Sequence, residues 1–203
     1  MRAKALVFAC LAACSALAAD KKLPECSFTV TPRRGDSQVS RSGGGLLGSL
    51  NSRSTDGSSS KTITRNMKWL AEVRIRKERP SRLGLKVYHV GEVNGGKSIK
   101  LLKSEEKTLD LDENGRASAE FTSPTTHLTK SRTSSYSSGN SGFRSTKKTV
   151  SGERVIGCVM QLFADGELLK SWSSDSRWAS AAKKTPFAIA DLSPEKTGRI
   201  GIR

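Results

Sequence analysis

From Met67 to Arg76 the chain alternates without a break. Met67, Trp69, Ala71, Val73 and Ile75 take every second position, and Lys68, Leu70, Glu72, Arg74 and Arg76 take the others. Successive side chains of an extended strand point to opposite faces, so this segment has one apolar face to bury and one mostly charged face to keep wet. A helix would scatter the same five apolar residues around its circumference. The pattern therefore predicts a strand with one buried face, stopped by Pro80, which cannot donate to a ladder.

The two-residue period recurs in Leu83, Leu85 and Val87, in Ile99 and Leu101, in Leu109 and Leu111, and in Ala117, Ala119 and Phe121, while no long segment carries a helical stripe. Val155–Ala164, the most apolar stretch beyond the first twenty residues, loses the alternation and is expected as a strand buried on both sides. Asn114-Gly115 and Asp165-Gly166 suit tight hairpin turns. Together with Cys26–Thr31 and Glu167–Ser173 this makes about eight strands. Strands with one oily face need a second sheet to cover it, so the expected fold is an all-β antiparallel sandwich. In strand count and turn spacing it resembles immunoglobulin-like or fibronectin-like sandwiches, a resemblance silent on function.

Asp175 is placed to cap a short C-terminal helix through Trp178 to Ala182, and Pro186 bars its continuation. Two stretches, about residues 33–60 and 124–147, are crowded with Ser, Thr, Gly, Arg and Lys and are expected as flexible loops. Each leads back into a strand through a similar tetrad, Lys61-Thr62-Ile63-Thr64 and Lys148-Thr149-Val150-Ser151, which we read as coincidence in so Lys- and Thr-rich a chain. The expected organisation is a signal peptide at 1–18, a single sandwich domain at 19–185 and a C-terminal tail at 186–203.

Arg2 and Lys4 followed by the apolar run from Ala5 to Ala13 have the layout of a secretory signal, with small residues before Ala19 for cleavage after Ala18. The run is too short to span a bilayer. Leu11-Ala12-Ala13-Cys14 also has the form of a lipobox, in which case Cys14 would be acylated and tether the protein to the outer membrane. Either route predicts a secreted or periplasmic protein. Cys26 and Cys158 would then meet oxidising conditions, and both share strand faces with apolar residues, so a disulfide between them is expected.

Several motifs dissolve on inspection. Ser58-Ser59-Ser60-Lys61, Ser138-Gly139-Asn140 and Lys196-Thr197-Gly198 resemble, in order, the three motifs of penicillin-recognising enzymes. However, Ser-x-x-Lys occurs five times, starting also at Ser104, Ser145, Ser180 and Ser193, and Ser58 opens no helix. Asp110-Leu111-Asp112-Glu113-Asn114-Gly115 begins like a calcium loop, but Phe121 stands where the closing glutamate belongs, so a plain hairpin is expected. Arg34-Gly35-Asp36 matches an integrin-binding tripeptide, too short a pattern to carry weight. His89 and His127 have no histidine or cysteine at ligand spacing, so no metal or cofactor is expected.

Charge remains. The chain carries a formal +16, or +14 once the signal takes Arg2 and Lys4 with it. Lys68, Arg74, Arg76, Arg79 and Arg82 are the candidate polyanion-binding residues, with Lys68, Arg74 and Arg76 on one outward strand face. The expected function is a non-catalytic interaction module of the bacterial cell envelope, which displays the basic strand face and the two basic loops at about 33–60 and 124–147 to acidic glycans, lipopolysaccharide or another envelope protein. Nucleic acid is a poor fit, because stacking rings are missing apart from Tyr88. The alternatives are a carbohydrate-binding module using exposed tryptophan among Trp69, Trp172 and Trp178, with Trp69 expected in the core, and a hydrolase with no visible motif.

Overall fold

The computed structural model describes residues 24–43, 57–137 and 143–192. The expected signal segment with Cys14, the serine-glycine-asparagine triplet at 138–140 and the end of the tail lie outside them. The described residues form β1 (Cys26–Arg33), β2 (Ser37–Gly43), β3 (Gly57–Arg65), β4 (Lys68–Ile75), β5 (Leu83–Val93), β6 (Ser98–Thr108), β7 (Arg116–Thr122), β8 (Thr126–Ser137), β9 (Phe143–Ala164) and β10 (Glu167–Ser173), then α1 (Ala179–Ala182). No helix among them is long and apolar enough to cross a membrane.

The strands build an all-β sandwich of two antiparallel sheets. One runs β1-β4-β7. The other runs β2-β3-β8-β9-β5-β6, with β10 alongside β9. Taken without β2, β3 and β8, the order is β1-β4-β7 facing β10-β9-β5-β6.

The alternation in β4 does what the sequence demands. Trp69, Ala71, Val73 and Ile75 are all buried, and they meet Phe121 of β7, Leu83, Leu85 and Val87 of β5, and Cys158, Met160 and Leu162 of β9. Trp69 is 1% exposed and tilts against the His89 ring at 5.4 Å. The far half of β9 is buried on both faces, as its continuous apolar run predicts, because Trp178, Ala181, Ala182 and Leu192 pack against Val90 and Val159 from outside. Asp175 caps this segment by accepting the Arg177 backbone N–H, and the Gln161 amide fastens it by donating to the Ala182 and Lys184 carbonyls at 2.9 and 2.7 Å. Asp165 and Gly166, both with positive φ, make the expected β9–β10 turn.

Four expectations are corrected. The described residues hold ten strands rather than eight, because the two serine-rich interruptions are largely extended chain: β2 and β3 occupy most of the described first one, and β8 and the start of β9 the second. They pair with each other in the order β2-β3-β8-β9, giving a four-stranded ribbon that continues the large sheet beyond the core. Each interruption lacks an apolar face, but each supplies the other with backbone partners. The two similar tetrads are accordingly ribbon strands in β3 and β9, with Lys61 and Val150 both in register with Lys130 of β8.

Residues 109–115 are not half of a hairpin. They cross from β6 in one sheet to β7 in the other, where the Asp112 carboxylate accepts the Asn114 and Arg116 N–H groups and the carbonyl of Gly115, at φ +69°, accepts the Ile75 N–H. Finally, Cys26 and Cys158 are free thiols. Cys26 pairs with Ile75 at the end of β4, and Cys158 with His89 of β5.

Candidate functional site

The five basic residues singled out by sequence do not form one surface. Lys68 and Arg74 share the outer face of β4 but stand six residues apart, about 20 Å along the strand. Arg76, Arg79 and Arg82 belong to the turn between β4 and β5. Each region also has acids beside it. Lys68 lies 3.9 Å from Asp36, Arg74 shares a hollow with Glu72, Asp110 and Asp112, the Arg79 guanidinium donates to the Glu113 carbonyl, and the Arg82 N–H donates to Asp165 at 2.9 Å.

The ribbon holds a denser set. Paired residues of antiparallel strands project to the same face. One row across the strands is Arg41, Lys61, Lys130 and Val150, and the next is Gly43, Ser59, Arg132 and Lys148. Five cations thus share one face over two rows. The four ribbon strands contain no acidic residue up to Gly152, and the first ion pairs lie at the base, where Lys100 meets Glu153 and Arg154 meets Glu92. Together with Val150 and the hydroxyl residues between them, these five line a trough of roughly 490 Å3.

Like charges directly opposite one another weaken a sheet. Arg41, Lys61 and Lys130 stand in that relation without a described acid to offset them, so their placement does not serve the stability of the ribbon. The opposite face is a carpet of hydroxyls: Ser40, Thr62, Thr129 and Ser151 in one row, Ser42, Ser60, Ser131 and Thr149 in the next, with Thr62 and Thr129 hydrogen-bonded at 3.1 Å. The basic face becomes apolar toward its base, where Leu128 is 3% exposed, Ile63 half-buried and Val39 47% exposed, and Val150 at the end of the Lys130 row is half-buried.

Sequence reading offers these two segments as basic polyanion-binding loops but singles out none of the five cations as binding residues, because both faces of the ribbon are polar and hydrophobic alternation is silent there. A different period-two signal is present. In Lys61-Thr62-Ile63-Thr64-Arg65, Thr129-Lys130-Ser131-Arg132 and Lys148-Thr149-Val150-Ser151, hydroxyl residues alternate with cationic or aliphatic ones. A helix would mix those two sets, and only strands separate them.

The other candidates take structural places. Trp69 and Trp178 are buried, and Trp172 is half-buried and packs on the core. Tyr88 packs on Phe187 at 4.6 Å. Arg34-Gly35-Asp36 is the link from β1 to β2, held by the Asp36 N–H donating to the Asn66 side chain at 2.7 Å and the Asn66 amide donating back to Asp36.

His89 and Cys158 are cross-strand partners, a pairing that invites comparison with a nucleophile and base. Both are fully buried, and burial pushes the Cys158 thiol well above its ordinary range, so the nucleophilic thiolate is suppressed. His89 Nε2 is instead engaged with Glu105 at 2.8 Å. The chain matches no protein-family model, and no curated protein matches it.

Proposed function

We propose that this chain is an exported, non-catalytic interaction module of the bacterial cell envelope that binds polyanions through the basic face of its ribbon. One observation carries the reading: Arg41, Lys61, Lys130, Arg132 and Lys148 are gathered on one face, and the four strands that bear them hold no acid up to Gly152. Arginine and lysine gathered at the expense of sheet stability are accounted for when an anion supplies the missing charge. The sandwich core anchors β9 and so holds the ribbon out as a fixed platform. Acidic glycans and lipopolysaccharide are the partners that suit an exported chain.

The test is a binding series with heparin, lipopolysaccharide and DNA at increasing salt. Affinity for at least one of them is expected to fall linearly on logarithmic axes as counterions compete. Absence of binding, or binding indifferent to salt, overturns the reading.

A further inference from the structure

The geometry of the cations says more about the ligand than their number does. Resting on the reading above, we infer that the ligand is a linear acidic polysaccharide, carboxylated or sulfated, that lies across the ribbon strands from Arg41 to Lys148 rather than along them. Along any one strand the basic face offers at most two successive cations, Lys130 and Arg132 of β8, before Leu128 on one side and Ser134 on the other. Across the strands the path meets Arg41 on β2, Lys61 on β3, Lys130 and Arg132 on β8, and Lys148 on β9.

Neighbouring strands are about 4.8 Å apart, so the path covers three steps, about 14 Å in all. An extended polysaccharide repeats once per sugar ring, on the scale of one such step. A carboxylate or sulfate on successive rings would therefore meet one strand after another.

The rest of the face fits that occupant. Gly43, with open space around its Cα, and Ser59 leave room beside Arg41 and Lys61 for the bulk of a ring. Ser134 and Thr146, whose hydroxyls are 3.5 Å apart on the same face, offer neutral donors beyond the cations. Single-stranded nucleic acid is held chiefly by rings on which bases stack. Residues 37–43, 58–65, 126–135 and 145–152 contain no Phe, Tyr or Trp.

The experiment uses the mature chain with a size series of heparin and polyuronate oligosaccharides, single-stranded DNA of equal charge, and neutral dextran. Acidic glycans are expected to bind more tightly than DNA, and dextran not at all. Affinity should rise with oligosaccharide length and level off near about four rings, one for each strand crossed. K61Q/K130Q and R132Q/K148Q should each weaken glycan binding at least tenfold and flatten its salt dependence, while R74Q/R76Q stays within twofold of the parent chain.

Circular dichroism and a urea midpoint no lower than the parent's would show both ribbon variants folded, since each substitution relieves like-charge repulsion. DNA bound more tightly than acidic glycans, and lost in the same variants, overturns this inference and leaves the polyanion reading standing. Glycan affinity that climbs with length without levelling overturns the crosswise path. No binding to any polyanion overturns both.

Discussion

His89 shows how one residue couples burial to pH. Its ring is fully buried against Trp69, with Nε2 2.8 Å from Glu105 and Nδ1 lacking any hydrogen-bond partner. A neutral ring carrying its hydrogen on Nε2 satisfies Glu105. Protonation would place a second N–H at Nδ1, where nothing accepts it. Burial accordingly pulls the His89 pKa below the ordinary 6.5, outweighing the opposing pull of Glu105. For Glu105 burial acts upward, but hydrogen bonds from His89 and Lys103 prevail and the carboxyl lies below its ordinary 4.5.

The unfolded chain takes up a proton on His89 near pH 6.5 while the folded chain does not, so stability declines as pH falls below that point. The Glu105 contribution is lost only below about pH 4.5, outside that window. Urea unfolding at pH 7.5 and 5.5 should therefore show a lower midpoint in acid, and the gap should shrink in H89L. At full protonation the cost is on the order of 1–3 kcal/mol, that of one buried unsatisfied donor. An undiminished gap in H89L would assign the acid sensitivity elsewhere.

At the scale of the element, legibility follows hydrophobicity. The β4 alternation, the two-sided run in β9, the Asp165-Gly166 turn and the Asp175 cap were readable because each rests on local chemistry: a period, a composition, a turn pair, a capping oxygen. The ribbon was not, because β2, β3 and β8 bury little, and what makes them strands is pairing between segments far apart in sequence, such as Lys61 with Lys130.

That origin has a measurable consequence. A sheet held by exposed backbone ladders, weakened by opposed cations and anchored by one apolar row opens locally at lower cost than the core. Amide exchange should be fast in β2, β3 and β8 and slow in β4, β5 and Val155–Ala164. A polyanion bound to the ribbon should slow exchange in β2, β3 and β8 selectively. Equal protection of ribbon and core without ligand would refute this account.

β9 passes from the ribbon into the core at Gly152. Gly152 has φ +97°, and a Cβ there would stand 2.2 Å from the His127 carbonyl oxygen. G152A should therefore cost more than about 1 kcal/mol through strain at a conformation L side chains avoid. The ribbon amides should lose their protection before the core does.

For the whole molecule, the question is what holds two sheets together when no disulfide among the described residues bridges them. Antibody sandwiches use a disulfide between facing sheets. Here the two thiols are free, and burial raises both above the ordinary thiol range. Cohesion falls to the interlocked side chains around Trp69, Phe121, Leu85 and Met160, the largest apolar groups removed from water. Truncating Trp69 to alanine should cost about 3–5 kcal/mol, enough to unfold a marginal domain. A reductant, by contrast, should do nothing: the urea midpoint is expected to be the same with and without dithiothreitol. Alkylation of the native mature protein should label Cys26 slowly, because it is only half-buried, and reach Cys158 only after denaturation. A midpoint that drops on reduction, with both thiols refractory to alkylation in urea until reductant is added, would mean that the sheets shift far enough to bring Cys26 and Cys158 together.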